Sequence, residues 1–504
     1  MKKFLIIFFI GNLLLAQGNF LWNKSGTEFP AGGSSWSSPL LMNNKIFWAG
    51  QDKGLAALNA ETGAILWIDT LNFMNGTYDS PVGYEGKVFI SRNNYADQSA
   101  RSLLALDAET GTIIWQKNNF YTSNRSAKPI AAEPLGQGGK LFAASNDTLY
   151  CFNIRNGNIV WKKAGNYSNL LIDYNGMRLI AAKGNAATIE VFYPHNGELA
   201  WSINLTDPGV SISSMAYSYY QTKEYLIVAP GTRQKPIFYC IDLASKSIVW
   251  NSENIGYVGN KGMPVIYQDK VFVGVEKITP SVPQEIVAFN LLNGNILWRN
   301  QARSEGATNT PFVIALDGKV FYQSSVNNLN ALVAADAATG GILWNTQPQF
   351  QNPWPLAWGS PLILKNKLYV VKDREGIFCY NAGTVNGQWI VQGGNIHATN
   401  SYTAGLVSVQ KDDQFIPDRF LLEQNYPNPF NPSTLISYRI AEPSNVTLEV
   451  FDLLGQKIAS LVNEFKLAGQ YNITFNASDL PSGVYFYSIK AGDYSETKKM
   501  MLIR

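Results

Sequence analysis

Along nearly all of this chain, short apolar stretches alternate with turns rich in Gly, Pro and Asn, and an apolar stripe at helical spacing is almost nowhere found. One unit of the pattern runs from Leu55 to Trp67. Leu55, Ala57 and Asn59 alternate with Ala56 and Leu58 as one strand, residues 60–63 turn the chain, and Ile65 and Trp67 share a face of the returning strand with Leu66 on the other. Both faces are apolar, so the hairpin requires a neighbour on each side. Gly63 suits the positive φ of a short hairpin with a bulge, and the Thr62 hydroxyl can bond the turn backbone. A second pair of apolar segments, residues 38–41 and 45–48, lies upstream, which makes four short strands per unit.

The unit returns about every 40 to 49 residues, ending at Trp67, Trp115, Trp161, Trp201, Trp250, Trp298, Trp344 and, in degraded form, Trp389. The turn glycine recurs as Gly111, Gly157, Gly197, Gly294 and Gly340. Lys246 replaces it in the fifth copy, where a left-handed residue with a Cβ costs on the order of 1 kcal/mol, so that turn is expected to differ in shape. Eight four-stranded units, each buried on both faces, predict an all-β chain dominated by an eight-bladed β-propeller. Two closures of the ring are open. Phe20 to Trp22 can supply the outer strand of the blade formed by residues 358–382, or Gln388 to Val391 can hold that place and leave Phe20 to Trp22 as an extension.

Composition narrows the class. Met1-Lys-Lys3, the apolar run Phe4 to Leu15 and the small residues after it have the parts of a secretory signal peptide over residues 1–17, and no other stretch approaches the roughly 20 apolar residues of a membrane span. Removing Lys2 and Lys3 takes the formal charge from +3 to +1 with acids and bases dispersed, which excludes a nucleic-acid footprint. Cys151, Cys240 and Cys379 all fall where other copies carry Ala57, Ala105 and Ala288, so they read as fillers of one small buried slot in three different blades. His195 and His397 are the sole histidines and have no partners at metal-ligand spacing. The acidic turn Asp373-Arg-Glu-Gly376 lacks the ligand series of a calcium loop. Aromatic loops at Pro353 to Trp358, at Phe120-Tyr121 with Arg125, and at Tyr217 to Tyr220 offer a stacking platform for a sugar or peptide, against which stands ordinary packing between blades. No catalytic, metal or cofactor residue is assigned.

The repeat signature, small-x-Asp/Asn-x-x-Thr-Gly-x-x-x-Trp, resembles the tryptophan-docking motif of PQQ-like repeat propellers over roughly residues 20–393. That family includes quinoprotein dehydrogenases, which hold pyrroloquinoline quinone, and non-enzymatic scaffolds similar to the outer-membrane assembly lipoprotein. The resemblance implies the fold strongly and the chemistry weakly. Those dehydrogenases place a vicinal Cys-Cys disulfide beside the quinone and a calcium in an acidic and amide set; this chain has no Cys-Cys, so quinone with calcium is not expected. Nor does a Cys follow the signal-like run to carry a lipid, which argues against the assembly scaffold's task.

The repeat ends near residue 393, and residues 394–417 read as a linker. Beyond it, about seven short strands in residues 418–504 predict a small Ig-like β-sandwich, with Val446, Leu448 and Val450 on one face and Tyr471, Ile473 and Phe475 on another inward face. Residues 420–504 resemble a type A C-terminal sorting domain of the type IX secretion system. The matching marks are Asn425-Tyr426-Pro427-Asn428-Pro429-Phe430-Asn431-Pro432-Ser-Thr434, the run Val450 to Gly455, Ala468 to Tyr471, Leu480-Pro-Ser-Gly483 to Phe486, and Lys498-Lys499 to Arg504. The resemblance implies passage to the periplasm, recognition by an outer-membrane translocon, and removal by a sortase-like peptidase. The expectation is an exported propeller, at the cell surface or free, with a non-catalytic binding or scaffold role towards a glycan or protein. The alternatives are a quinoprotein-like or other propeller enzyme, and a periplasmic assembly scaffold.

Overall fold

The computed structural model describes residues 20–25, 38–50, 54–69, 80–92, 101–120, 130–132, 139–145, 147–173, 178–183, 187–205, 212–221, 223–231, 236–252, 255–256, 263–276, 284–303, 313–326, 329–346, 361–364, 366–372, 376–383, 388–389, 401–402, 420–440, 444–466, 469–478, 480–492 and 494–503. The signal-like run, His397 and the loop Pro353 to Trp358 lie outside the described residues, as do Asp373 to Glu375. Every named element is a strand, and no helix among the described residues is long and apolar enough to cross a membrane. The chain divides into two compact units, one of Met1–Pro134 and Gly139–Val409 and one that includes Gln410–Arg504.

Among the described residues the first unit contains eight sheets, antiparallel throughout except for one added strand in the sixth. The first sheet is Leu40–Met42, Lys45–Gly50, Gly54–Asn59 and Ile65–Asp69 in sequence order. Five of the next six begin at Val82, Ile130, Tyr167, Ile212 and Val313 and repeat that order with four strands each, while the sixth sheet, from Val265, carries one strand more. The middle strands are buried on both faces, as the run of buried residues from Leu55 to Leu58 shows, because each sheet is covered by its neighbours. Apolar clusters join each sheet to the next around a ring: Leu40 and Phe47 meet Val88 and Leu104 between the first and second, and Trp48 and Leu58 meet Tyr369 and Ile377 between the first and eighth. This is a closed propeller.

Ring closure resolves in favour of the N-terminal strand. Phe20–Ser25 pairs with Gly376–Asn381 as the outer strand of the eighth sheet, with Trp22 opposite Cys379. That register is the repeat's own: Trp67 stands opposite Ala57, Trp115 opposite Ala105, Trp161 opposite Cys151 and Trp250 opposite Cys240. A bulge skips the residue before each of these tryptophans, and Leu21 is skipped in the same way. Trp389, read from sequence as the eighth repeat tryptophan, is therefore corrected. Gln388–Trp389 pairs instead with the innermost strand Leu362–Leu364. The outer place was already filled from the other end of the ring, which ties the two ends together.

The second unit is a two-layer sandwich of seven strands. One sheet orders Leu421–Leu422, Ser433–Ile440 and Gly469–Asn476; the other orders Lys457–Lys466, Ser444–Phe451, Gly483–Ala491 and Tyr494–Leu502. Strict alternation places Val446, Leu448, Val450, Tyr487, Ile489, Met500 and Leu502 in one core with Phe475, while Tyr471 and Ile473 pack at its margin.

Candidate functional site

In the sandwich, three prolines within residues 427–432 remove backbone donors, and side chains organise the turn in their place. Asn425 is buried. Its Nδ2 donates to the Pro427 carbonyl at 3.1 Å and to Thr434 Oγ1 at 2.9 Å, and Thr434 Oγ1 donates to the same Pro427 carbonyl at 2.8 Å. The Asn425 N–H donates to the Tyr487 hydroxyl, which donates onward to the Glu423 carbonyl, both at 2.8 Å. The far side of the motif is sewn to the last strand: the Met501 N–H donates to Asn428 Oδ1, the Phe430 N–H to the Met501 carbonyl, and the Ile503 N–H to the Phe430 carbonyl. Phe430 plugs the core at 1 % exposure, whereas Tyr426 is 81 % exposed and Leu454, in the turn before Gly455, is 91 % exposed. Gly455 adopts φ 78°, which that turn requires. Gly483 opens its strand opposite Leu502, and Lys498 and Lys499 lie opposite Tyr487 and Phe486.

Electrostatics reinforces this corner. Burial raises the Glu496 carboxyl, but hydrogen bonds from Tyr494, Lys498 and the Leu422 N–H outweigh it and hold the group below its ordinary value. Burial, then the bond to Glu496, pushes the Tyr494 phenol up to about 12.

In the propeller, a tryptophan lies over the turn glycine of the next sheet at six seams. A Cβ built at Gly111, Gly157, Gly197, Gly294 or Gly340 would stand within 2.8 Å of a carbon of Trp67, Trp115, Trp161, Trp250 or Trp298 respectively, and one at Gly63 would stand 2.7 Å from Trp22. Five indole N–H groups then donate across the seam, Trp67 to the Ala108 carbonyl, Trp115 to Ile154, Trp161 to Pro194, Trp250 to Leu291 and Trp298 to Ala337. At the closing seam the equivalent carbonyl, Ala60, accepts from the Tyr369 hydroxyl at 3.0 Å, and Trp22 Nε1 is buried without an acceptor. Trp344 packs against the cluster that includes Ala382 and likewise keeps a buried Nε1 without an acceptor. Trp201 packs at the margin of the fourth seam.

The turn below is set by an Asx arrangement. Asn59 Oδ1 accepts from the N–H groups of Glu61 and Thr62, and the Ala64 N–H donates to the Thr62 hydroxyl. Asp107 and Asp336 do the same, and the Thr110 and Thr339 backbone N–H groups hold these two carboxyls below their ordinary values. The three thiols occupy the slot opposite a tryptophan, all are buried, and burial pushes each up to about 12, which removes them as nucleophiles at neutral pH.

The remaining sequence candidates disperse. Phe120 is buried with its ring on Tyr150 and Phe152, and Tyr217 is buried with its hydroxyl donating to Glu224, so neither belongs to an open platform. Tyr219 is exposed, and His195 stands 6.0 Å from the Tyr193 ring. Among the described residues no three His, Cys, Asp or Glu side chains gather as a metal site. Sequence reasoning missed the cation that opens the second strand of the sheets. Lys45 bonds Glu109 of the next sheet, Lys367 bonds Glu61, and Arg178, just before Leu179–Lys183, bonds Glu224; the basic residue that recurs at the start of this strand was the available signal.

A closed ring of sheets completed by an N-terminal strand, followed by a β-sandwich, defines the chain as a β-propeller protein with a second β domain. A family model described as outer membrane protein assembly factor BamB matches residues 12–119, 100–235 and 282–420, more than half of the chain, and the chain belongs to this PQQ-repeat family. A second model, the secretion system C-terminal sorting domain, matches residues 424–503, and it marks the chain for export by the type IX system to the cell surface or the medium. Among solved structures the chain is similar to BamB from Moraxella catarrhalis, at 14% identity and TM-score 0.52 over 72% of this chain and 99% of that one. It is also similar to the quinohemoprotein alcohol dehydrogenase ADHIIG from Pseudomonas putida HK5, at 13% identity and TM-score 0.55 over 73% and 76%. A curated relative, tetrathionate hydrolase of Acidithiobacillus ferrooxidans, is 22% identical over 46% of this chain, which spans 51% of that relative. Likeness at this level carries the fold alone.

Proposed function

We propose that the propeller is a cargo with a non-catalytic binding or scaffold role outside the cell, and that its sandwich is read by the type IX translocon and a sortase-like peptidase. The match of residues 424–503 to a sorting domain is the observation that carries the export half. The binding half is supported by where the shifted ionisable groups stand. Among the described residues the shifted thiols, Tyr369 and Arg178 stand apart: each thiol sits in a separate seam, Tyr369 serves the closing seam, and Arg178 serves the seam between the fourth and fifth sheets. No cofactor is assigned. A panel of glycans, peptides and cell-envelope components presented to the full chain is expected to yield a saturable ligand without turnover. Dye reduction with an alcohol after loading with pyrroloquinoline quinone and calcium would move the case to the dehydrogenase reading, which the alcohol dehydrogenase likeness keeps in view.

A further inference from the structure

In a two-layer sandwich each strand turns alternate side chains into the core, so the set on the other face is expected to be polar. On the smaller sheet that holds for Ser433, Ser437, Arg439, Thr474 and Asn476, with Leu435 departing from it. The outer face of the larger sheet changes character along its length. At one end it carries Thr447 opposite Lys490 and Glu449 opposite Ser488, and Ser488 stands in turn opposite Thr497. Further along, the polar set stops. Phe451 stands opposite Phe486 and Val484 opposite Met501, all on the side away from the core. The strand of Phe451 then enters a turn in which Leu453 is 69% exposed and Leu454 91%. Asp452 Oδ1 accepts from the Leu454 and Gln456 N–H groups, each at 2.8 Å, so the tip that carries the leucines has a defined shape. Lys457 and Lys499, both exposed, complete the row across the sheet opposite Phe451 and Phe486.

We propose that this corner of the larger sheet is the face by which the sandwich docks on a protein of the type IX secretion apparatus, and that the partner's surface is apolar at its centre with a carboxylate set against Lys499. The inference rests on the export reading of the sandwich and names the surface which that reading requires. An apolar patch left open on a folded domain marks contact with another molecule. The sorting-domain match over residues 424–503 spans every residue of the patch, which points to the secretion apparatus as the occupant. An apolar centre bounded by charged residues is the anatomy of a protein interface. A lipid surface fits less well, because adsorption to an anionic bilayer draws on a cluster of cations. Here Lys457 is bonded to Glu449 at 3.0 Å, which leaves Lys499 to act alone on that row. Phe451, Phe486 and Met501 come from different strands, so the face exists only in the folded sandwich.

The test uses the full chain in cells that export it. Leu453→Ser with Leu454→Ser removes the exposed tip without touching the core, and Lys499→Glu reverses the rim charge. Leu435→Ser, on the other sheet, is the control. The leucine variant is expected to keep the parental unfolding midpoint and to reach the outside at a level at least about tenfold lower, with the shortfall held in the periplasm. Lys499→Glu is expected to lower delivery about threefold, and the control to match the parent. A photo-crosslinking side chain in place of Leu454 is expected to join the protein to an outer-membrane component of the type IX apparatus. Parental delivery by the leucine variant overturns the proposal, as does an equal loss in the control. Parental delivery by Lys499→Glu overturns the carboxylate, and a crosslink to lipid instead of that component overturns the protein partner. A chain lacking residues 420–504 separates the two readings. Its retention, while both patch variants are exported as the parent is, defeats the docking face alone; its delivery outside the cell defeats the export reading as well.

Discussion

The seam between the fifth and sixth sheets and the seam between the fourth and fifth solve one problem in two ways. In the former, Trp250 lies over Gly294, and its indole N–H reaches the Leu291 carbonyl at 2.7 Å. In the latter the glycine is Lys246, which keeps the left-handed conformation at φ 56° while its strands pair on to Asp242 opposite Ser247, a tighter turn than in the other copies. That seam instead carries a polar bridge. Arg178 bonds Asp173 at 2.7 Å and reaches Glu224 of the fifth sheet, which also accepts from Tyr217. The comparison teaches that the repeat supplies an apolar latch by default, and that a seam which departs from it can be held by the basic residue ahead of the second strand and its acidic partners.

Breaking the polar seam is expected to have the largest effect. Arg178→Met leaves Asp173, whose side chain is 1% exposed, without its cation, and the propeller should lose about 3–5 kcal/mol in denaturant unfolding. Adding Asp173→Asn should recover most of that loss. Next, Gly294→Val drives a branched side chain into Trp250 at a left-handed position, with an expected loss of about 2–4 kcal/mol. The same turn in the fifth sheet should respond with the opposite sign, Lys246→Gly gaining about 1 kcal/mol. The smallest effect lies in the turns themselves. Asp107 and Asp336 have folded-state values below the ordinary 3.8, so their contribution is present above that pH and is lost as pH falls through the folded values. Asp107→Asn with Asp336→Asn should therefore flatten the acid limb of the unfolding profile and leave neutral stability nearly unchanged, since Asn59 and Asn290 already serve in the same position.

What was legible follows the same division. Sheet order, the turn glycines and the small buried slot shared by the three thiols all repeat within one unit of sequence, so local pattern reveals them. Trp22 opposite Cys379 joins residues far apart along the chain, and no periodicity distinguishes it from the competing Trp389. The parallel pairing of Ser401–Tyr402 with Val265–Tyr267 joins residues more than a hundred positions apart, which local alternation does not reveal. In the sandwich, the motif announced itself in sequence, but its physical roles divide only in the structure. Asn425 and Phe430 are buried to hold the turn, while Tyr426 and Leu454 stand exposed and open to recognition. Aromatic loops pointed both ways, and Phe120 and Tyr217 went to packing because a ring between sheets buries more apolar area than a ring at a mouth.

The central claim is that a propeller leaves the cell under the direction of the sandwich that follows it. Its most direct test is intact-mass measurement of the protein in separated periplasmic, outer-membrane and medium fractions, for the full chain and for one lacking residues 420–504. The account predicts that the full chain yields a propeller outside the cell that has lost the sandwich, and that the shortened chain is held in the periplasm. Delivery of the shortened chain to the outside at the level of the full one would contradict it.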